Sequence, residues 1–207
     1  MNSIDLSLYL VTDNSDDEEK FLKTIEEAIQ GGTTVVQIRE KTAETLDFYN
    51  LALKVKEITD KYDVPLIIND RVDVALAIDA DGVHVGQSDM PCDITRKLIG
   101  DDKILGVSAA TIEEAKKAQK DGADYIGTGA VFPTQTKDDA PSVTKQELKE
   151  VVESIDIPVV AIGGITLENA SELKDTGISG LSVVSAIMSS ENPKKSSQDL
   201  LKVFNSF

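Results

Sequence analysis

The stretch Val35-Val36-Gln37-Ile38-Arg39-Glu40-Lys41 begins as a β-strand and ends in a cluster of charged side chains. Successive side chains of an extended chain point to opposite faces, so Val36 and Ile38 share an apolar face. The other face carries Gln37, Arg39 and Lys41. Guanidinium and ammonium groups bind phosphate oxygens strongly, so this pattern indicates a strand whose polar face ends in an anion pocket. A solvated strand end is the alternative, and the rest of the chain decides between the two.

The chain has 207 residues, which suits one domain over residues 1–207 with a substantial apolar core. Its formal net charge of −16 argues against nucleic-acid binding, which needs a basic footprint. The same charge repels small anions at long range, so a phosphate site must be built locally from a few cations, backbone amides or a metal. The sequence leaves open whether the acidity serves solubility or a salty habitat.

Cys92 is the only cysteine, so no internal disulfide can form, and a reducing compartment fits this usage. Residues 1–7 lack a basic segment followed by a long apolar run, and no run approaches the length of a membrane span. The sequence therefore predicts a cytoplasmic protein with no membrane partner. It leaves the oligomeric state open, and a homo-oligomer is compatible with it.

Eight short apolar runs alternate with segments of helical periodicity. The predicted strands begin at or near residues 8, 35, 66, 82, 103, 123, 158 and 180. The predicted helices include 72–78, 91–99, 111–120, 144–154, 167–174 and 193–204. Eight such units with right-handed crossovers predict an α/β fold, a parallel sheet closed as a (β/α)8 TIM barrel. An open doubly wound sheet is the rival, but Thr12-Asp13-Asn14-Ser15 stands where its glycine-rich fingerprint would be.

Reactive side chains gather at the carboxyl ends of the predicted strands, where the active sites of (β/α)8 barrels lie. These residues are Arg39, Lys41, Asn69, Asp70, Arg71, Gln87, Ser88, Asp89, Ser108, Thr134, Thr136, Lys137, Gly163, Gly164 and Ser185. The amino ends of the strands offer ordinary turn residues instead, in 63–65, 101–102 and 156–158. The distribution predicts a functional site at the carboxyl end.

Asp70 and Asp89 follow adjacent predicted strands, so their carboxylates can converge. Mg²⁺ prefers oxygen ligands and commonly joins one or two carboxylates to substrate phosphates, so the pair predicts a magnesium site. The alternative is that Asp70 caps the following helix. His84 lies within a strand between two valines, which favours a structural role or a place in a pocket wall over general-base catalysis.

The loops after the seventh and eighth predicted strands give a second indication of an anion-binding site. Barrels often bind phosphate with the loops after strands seven and eight and the N-terminus of a short helix. Gly163 and Gly164 let the backbone approach a ligand closely, and Val184-Ser185-Ala186 could donate N–H groups from a helical turn. The alternative is a pair of tight turns.

Eight short motifs stand in order along nearly the whole chain. They are Leu8-Tyr9-Leu10-Val11-Thr12-Asp13, Gln37-Ile38-Arg39-Glu40-Lys41, Asn69-Asp70-Arg71, His84-Val85-Gly86-Gln87-Ser88-Asp89, Gly106-Val107-Ser108, Phe132-Pro133-Thr134-Gln135-Thr136-Lys137, Ala161-Ile162-Gly163-Gly164-Ile165 and Val184-Ser185-Ala186-Ile187. Each motif alone is weak, whereas the full ordered set is highly specific, and it resembles the thiamine-phosphate synthase family.

The resemblance implies a Mg²⁺-dependent alkyl transfer on a single-domain barrel. The implied substrates are 4-amino-2-methyl-5-hydroxymethylpyrimidine diphosphate and 4-methyl-5-(2-hydroxyethyl)thiazole phosphate, and the products are thiamine phosphate and pyrophosphate. In the implied mechanism pyrophosphate leaves first, and the thiazole nitrogen captures the resulting pyrimidine-methyl cation. Such a reaction needs the leaving charge neutralised and the reactants aligned rather than acid–base chemistry.

The resemblance also implies roles for individual positions of this chain. The implied pyrimidine diphosphate site comprises Gln37, Ile38, Arg39, Glu40, Lys41, Asn69, Ser108 and Lys137. The implied thiazole phosphate site comprises Thr134, Gln135, Thr136, Gly164, Val184 and Ser185. Asp70 and Asp89 are the implied Mg²⁺ ligands, and the implied catalytic groups are Arg39, Lys41, Ser108 and Lys137.

Three other functions compete with the synthase. The related thiazole tautomerases resemble this chain but carry a catalytic histidine where Ala130 stands here, which argues against their chemistry. A catalytically inactive barrel that binds thiazole phosphate as a regulator or carrier would not need the residues that bind a diphosphate and a metal. A phosphoribosyl-type isomerase would use the two terminal phosphate loops but would leave residues 37–41 and Asp89 unexplained. The thiazole tautomer accepted, and closure of the loop 134–140, stay open.

The resemblance generates a prediction about Lys137. Its replacement by alanine should lower turnover much more than it lowers stability, because the ammonium group would neutralise the leaving diphosphate rather than support the core. Turnover and the midpoint of thermal unfolding, measured on the same preparation, check this expectation. Equal losses of fold and activity would count against the implied role.

Overall fold

The computed structural model describes residues 4–14, 17–134 and 142–207. The strands are β1 (Leu8–Val11), β2 (Val35–Ile38), β3 (Leu66–Asn69), β4 (Gly82–Val85), β5 (Ile104–Ser108), β6 (Tyr125–Thr128), β7 (Val159–Ile162) and β8 (Gly180–Val183). The α-helices are α1 (Glu18–Gln30), α2 (Thr45–Lys61), α3 (Val72–Ala77), α4 (Cys92–Ile99), α5 (Ile112–Lys120), α6 (Lys145–Ser154), α7 (Ser185–Met188) and α8 (Pro193–Phe204). One 3₁₀-helix, Ala170–Leu173, lies between β7 and β8.

Each strand pairs in parallel with the next, and β8 pairs with β1, so the sheet closes. The register around β1 places Tyr9 opposite Val35 of β2 and opposite Ser182 of β8. Closure confirms the predicted (β/α)8 barrel and excludes an open doubly wound sheet. All eight carboxyl ends therefore meet at one end of the barrel.

The alternation of side chains along each strand divides the apolar residues between two cores. The inward side chains fill the lumen of the barrel, and they include Tyr9, Val35, Ile67, Tyr125 and Val160. The outward side chains pack against the helices in a larger shell, and they include Leu10, Val36, Ile38, Leu66, Ile68, Val83, Leu105 and Leu181. This division decides which residue after each strand faces the lumen and which faces the helices.

The helix starts are set by short polar signals. α5 and α6 each begin with a capping box, formed by Thr111 with Glu114 and by Thr144 with Glu147. Asn192 caps α8, and Pro193 occupies its first turn, where a missing N–H costs nothing. The helices predicted at these three positions are confirmed by the structure.

The predicted helix over 167–174 is wrong in type and extent, because only the 3₁₀-helix forms there. The side chain of Asn169 accepts a hydrogen bond from the Thr166 N–H at 2.8 Å and donates one to the Gly164 carbonyl at 2.9 Å. The backbone of this segment closes i→i+3 turns, with the Glu172 N–H donating to the Asn169 carbonyl at 2.9 Å, and the chain becomes extended at Lys174 with ψ of 147°, while the Asn169 side chain binds backbone groups that precede residue 167. The same contact ties this connection to the loop that follows β7.

Carboxylates at the amino end of the barrel bind the starts of neighbouring strands. Asp81 accepts the Leu66 N–H at 2.8 Å, and Asp124 accepts the Leu105 N–H at 2.7 Å. Asp124 also binds Arg96, whose guanidinium donates to the carbonyls of three residues, Gly100, Lys103 and Gly122. Arg96 thus joins α4 to the entrances of β5 and β6.

No helix among the described residues is long and apolar enough to span a membrane. The thiol of Cys92 lies on α4 and contacts the Ala118 carbonyl at 3.6 Å. Burial raises the pKa of the Cys92 thiol to about 11, so it is protonated near neutral pH. Its position and protonation are those of a structural cysteine.

Replacing Arg96 with methionine should lower the free energy of unfolding by about 3 kcal/mol, because three carbonyls and a partly buried carboxylate lose their donor. The Arg96 side chain is only 15% exposed, whereas Lys97 on the same helix is 71% exposed. The matched variant Lys97→Met should change stability by about 0.5 kcal/mol or less. Urea unfolding of both variants checks this, and equal losses would refute the role given to Arg96.

Candidate active site

A cavity of about 530 Å³ opens at the carboxyl end of the barrel. Its wall includes residues from or directly after all eight strands, among them Val11, Arg39, Asp70, His84, Ser108, Gly129, Gly164 and Ser185. The structure therefore brings the chemistry-bearing residues of distant segments together where the sequence predicted a site. A cavity of this size suits a small-molecule ligand.

Two carboxylates and a lysine form the acidic side of the cavity. Lys41 forms an ion pair with Asp70, whose carboxyl also interacts with that of Asp89. Asp89 is oriented by the Gly86 N–H, which it accepts at 2.7 Å. Burial raises the pKa of the Asp70 carboxyl above its ordinary value; Lys41 opposes this rise and Asp89 adds to it.

The backbone holds Asp70 in the left-handed region, with φ of 60°. Its N–H donates to the His84 carbonyl at 2.8 Å, which continues the pairing of β3 with β4 past the strand end. The N-cap of α3 is Arg71, and no side-chain bond caps that helix. The alternative role of Asp70 as the cap of the next helix is therefore wrong, and its carboxylate belongs to the cavity.

Because side-chain direction alternates along the chain, residues 37–41 lie in different surroundings. Arg39 and Lys41 line the main cavity, as their shared face predicts. Gln37 shares that face but lies lower in the lumen, where it is 4% exposed. Ile38 and Glu40 line only a smaller cavity of about 200 Å³ on the helix side, to which Arg39 also contributes.

Glu40 shapes the loop after β2. Its Oε1 accepts the N–H groups of Thr42 and Ala43 at 2.8 and 3.2 Å. The buried Thr12 accepts the Arg39 N–H at 3.0 Å through its hydroxyl. These bonds hold the backbone on both sides of Arg39 and leave its side chain at the cavity wall.

The opposite side of the cavity is built from backbone at two glycines. Gly163 and Gly164 have φ of 100° and 64°, which L side chains rarely adopt. A Cβ on Gly164 would lie 2.4 Å from the Pro133 carbonyl oxygen, so the two loops approach each other as only glycine allows. Ser185 begins α7 next to this loop, and Thr134 also lines the cavity. The arrangement suits an anion held by N–H groups.

Of the sequence-predicted site residues, the structure brings most to this one cavity. Those in its wall are Arg39, Lys41, Asn69, Asp70, Asp89, Ser108, Thr134, Gly164, Val184 and Ser185. Gln37, Ile38 and Glu40 lie elsewhere, as described above. Gln135, Thr136 and Lys137 lie outside the described residues, as does most of the loop 134–140.

Two residues connected to the cavity, Tyr9 and Tyr125, were not predicted from residue type alone. Both phenols are buried in the lumen, and their hydroxyls lie 2.6 Å apart. Tyr125 also contacts His84, whose other ring nitrogen lies 2.8 Å from the Ser108 hydroxyl in the cavity wall. Both tyrosines lie at positions of the predicted strands whose side chains point into the lumen. This alternation along the strand is the sequence signal that could have identified them.

The fold and the cavity define a (β/α)8-barrel enzyme in which two carboxylates and two cations share a cavity with the glycine loop 163–164. The family model for thiamine monophosphate synthase matches residues 8–187. The chain belongs to the thiamine monophosphate synthase family, and it is thus a transferase of thiamine biosynthesis.

Individual relatives agree with the family match. The thiamine-phosphate synthase of Methanobrevibacter smithii is 75% identical over 99% of this chain and 98% of its own length. That of Ruminiclostridium cellulolyticum is 58% identical over 98% of this chain and 97% of its own length. The structure of a thiamine phosphate pyrophosphorylase from Pyrococcus furiosus superposes with a TM-score of 0.88 at 40% identity, covering 99% of this chain and 98% of that one.

Replacing Gly164 with alanine should lower turnover by about tenfold or more, because the added Cβ would push the loops apart and misplace the bound anion. Gly100→Ala is the matched control, since Gly100 has φ of 77° and open space around its Cβ position. Both variants should lose about 1 kcal/mol or more of stability from the left-handed backbone. Steady-state rates and thermal unfolding check this, and similar turnover in both variants would contradict it.

Proposed function

We propose that this cavity joins the pyrimidine diphosphate to the thiazole phosphate by dissociative transfer, as the family assignment supports. The observation that supports the proposal is that one cavity has two chemically unlike sides. Arg39 and Lys41 lie with two carboxylates on one side, and Gly164 and Ser185 line the other. We assign the diphosphate to the first side and the monophosphate to the second. One diphosphate and one monophosphate substrate need such a division.

Magnesium fits the donor set of the acidic side. Among the described residues no cluster of three or more histidine, cysteine, aspartate or glutamate side chains could hold a metal. Mg²⁺ needs no such cluster, because it keeps several waters and takes one or two carboxylates plus substrate phosphates. Asp70 and Asp89 would supply those carboxylates. Bound there, Mg²⁺ would neutralise charge on the diphosphate.

The cations of the chain stabilise the leaving group in the proposed step. The bond between the pyrimidine methylene carbon and the diphosphate oxygen breaks, and its electron pair leaves with pyrophosphate. Arg39 and Lys41 meet that negative charge from the strand β2 side, and Ser108 contacts the same group from β5. The family resemblance adds Lys137 to the groups that would bind the diphosphate. Fixed cations in a shielded cavity act without reorganising, which is the main electrostatic contribution to such catalysis.

The anion loop positions the second reactant. The thiazole phosphate would bind N–H groups at Gly164 and Ser185, with Val184 beside them and Thr134 in the facing loop. Gln135 and Thr136 extend that loop by resemblance. Held this way, the thiazole nitrogen faces the methylene carbon and donates its lone pair to form the new carbon–nitrogen bond. Alignment of two reactants is worth several orders of magnitude in rate without any acid or base.

The neighbouring tautomerase chemistry finds no support at this site. Ala130 lines the cavity beside Gly129 and carries no group that moves a proton. His84, the only histidine of the chain, is engaged on both ring nitrogens in the cavity wall. The proposal further places the reaction in the cytoplasm with small molecules as the partners, in accord with the single cysteine and the acidic surface.

Incubating the protein with both substrates and Mg²⁺ should give thiamine phosphate and pyrophosphate, and a chelator should abolish both products. Asp89→Asn keeps an oxygen for the Gly86 N–H but removes the charge, so its rate should fall by about a hundredfold. Asp79→Asn is the matched control, because Asp79 is 88% exposed and pairs with Lys103 away from the cavity.

Chromatographic detection of both products separates the outcomes. No product from a folded protein would leave a binding-only barrel. Product formation that withstands the chelator would keep the transfer and remove the metal from the proposal.

A further inference from the structure

A continuous chain of hydrogen bonds crosses the barrel lumen and ends at the active-site cavity. Gln37 Nε2 donates to the Tyr9 hydroxyl at 2.7 Å, and the hydroxyls of Tyr9 and Tyr125 lie 2.6 Å apart. The Tyr125 hydroxyl lies 2.9 Å from His84 Nδ1, and His84 Nε2 lies 2.8 Å from Ser108 Oγ. The first four members are each less than 9% exposed, whereas Ser108 reaches the cavity.

The lumen is shaped to hold this chain. A Cβ on Gly106 would lie 2.2 Å from the Tyr125 hydroxyl oxygen and 2.5 Å from His84 Nδ1. A Cβ on Gly127 would lie 3.3 Å from His84 Cε1. Two neighbouring strands therefore present glycine where the phenol and the imidazole sit. Glycine at these two positions therefore makes room for the phenol and the imidazole of the hydrogen-bond chain.

The protons in the chain take one direction. Each phenol has a single proton, Tyr9 accepts from the Gln37 amide, and the Tyr125 hydroxyl is the acceptor that this hydrogen-bond chain offers to the Tyr9 proton, so we assign that proton to Tyr125. Tyr125 then donates to His84 Nδ1, and the neutral imidazole carries its proton on Nε2. Burial raises the pKa of both phenols far above the ordinary value, so both keep their protons. The reverse direction would leave the Tyr9 proton without an acceptor in this chain.

We propose that His84 is a positioning residue, held as the Nε2–H tautomer by Tyr125 and Tyr9, which turns the Ser108 hydroxyl proton toward the cavity. Because Ser108 Oγ accepts from Nε2–H, its own proton is free to donate to an anion. In the reverse direction the same proton would point into the wall. The inference rests on the proposed function for the identity of that anion, the diphosphate, while the tautomer itself does not depend on it.

The tautomer can be read directly because His84 is the only histidine. Protein labelled with ¹⁵N-histidine and free of substrate, at neutral pH, should show one protonated ring nitrogen, Nε2, and one bare ring nitrogen, Nδ1. In Tyr125→Phe this strict preference should be lost, because the donor to Nδ1 is gone. An Nδ1–H tautomer, or a ring protonated on both nitrogens, in the unmodified protein would overturn the proposal whatever the activity.

A double-mutant cycle in the rate tests whether Tyr125 acts through Ser108. With the pyrimidine diphosphate as the varied substrate, Ser108→Ala should lower kcat/KM by about tenfold and Tyr125→Phe by about fivefold. The double variant should be no slower than Ser108→Ala, and KM for the thiazole phosphate should not change. Independent, multiplying losses would refute the coupling. If the protein has no synthase activity, the tautomer measurement still decides the proposal.

Tyr62→Phe is the matched control for loss of a phenol hydroxyl. Tyr62 bonds Glu26 at 2.8 Å and Gln30 at 3.0 Å on the helical shell, outside the cavity wall. This variant should keep kcat/KM and the histidine tautomer unchanged. A tautomer shift in Tyr62→Phe would mean that general loosening, and not the Tyr125 contact, sets the ring state.

Discussion

Closure of the parallel sheet is the constraint on which the rest of this structure depends. Every neighbouring pair of strands is parallel and β8 pairs with β1, so all eight carboxyl ends share one closed rim. Strands of only four or five residues leave the rim directly above a lumen filled by residues such as Tyr9 and Tyr125. A polar residue placed just after any strand therefore meets residues that are far away in sequence, as Lys41 meets Asp70. Geometry, rather than any one motif, assembles the site.

The charge of the site contrasts with the charge of the chain. With a formal net charge of −16, the protein as a whole repels anionic substrates. At the rim, Arg39 and Lys41 oppose Asp70 and Asp89, so this part of the cavity is close to neutral in formal charge. Attraction at long range is therefore weak, and binding relies on short contacts at fixed positions. The loop at Gly164 likewise offers short contacts, because its backbone N–H groups add partial positive charge without adding a side chain.

The sequence predicted the fold well because its signals are local and periodic. Apolar runs and helical periodicity are read within a few residues, and the structure confirms the helices predicted over 111–120 and 144–154. The helix predicted over 167–174 failed because the backbone there closes tighter i→i+3 turns and becomes extended at Lys174, which apolar periodicity does not register. Residue types at strand ends also predicted most of the cavity wall. They did not separate Gln37 from Arg39, because depth in the lumen depends on stagger between strands. Tyr9 and Tyr125 meet across 116 residues, and no local signal reports such a contact.

The lumen chain joins the core of this barrel to its chemistry. Filling the interior with aliphatic side chains alone would avoid desolvating two phenols and an imidazole, which is costly unless every group is paired. Here each hydroxyl and ring nitrogen from Gln37 to Ser108 has a partner. A fully paired chain is rigid, since moving one member breaks the bonds of the next. In the proposed mechanism this rigidity fixes the position of Ser108, whose hydroxyl would meet the leaving group at a fixed distance. We therefore expect substitutions deep in the core, at Tyr9 for example, to change the rate through hydrogen-bond direction as well as through packing.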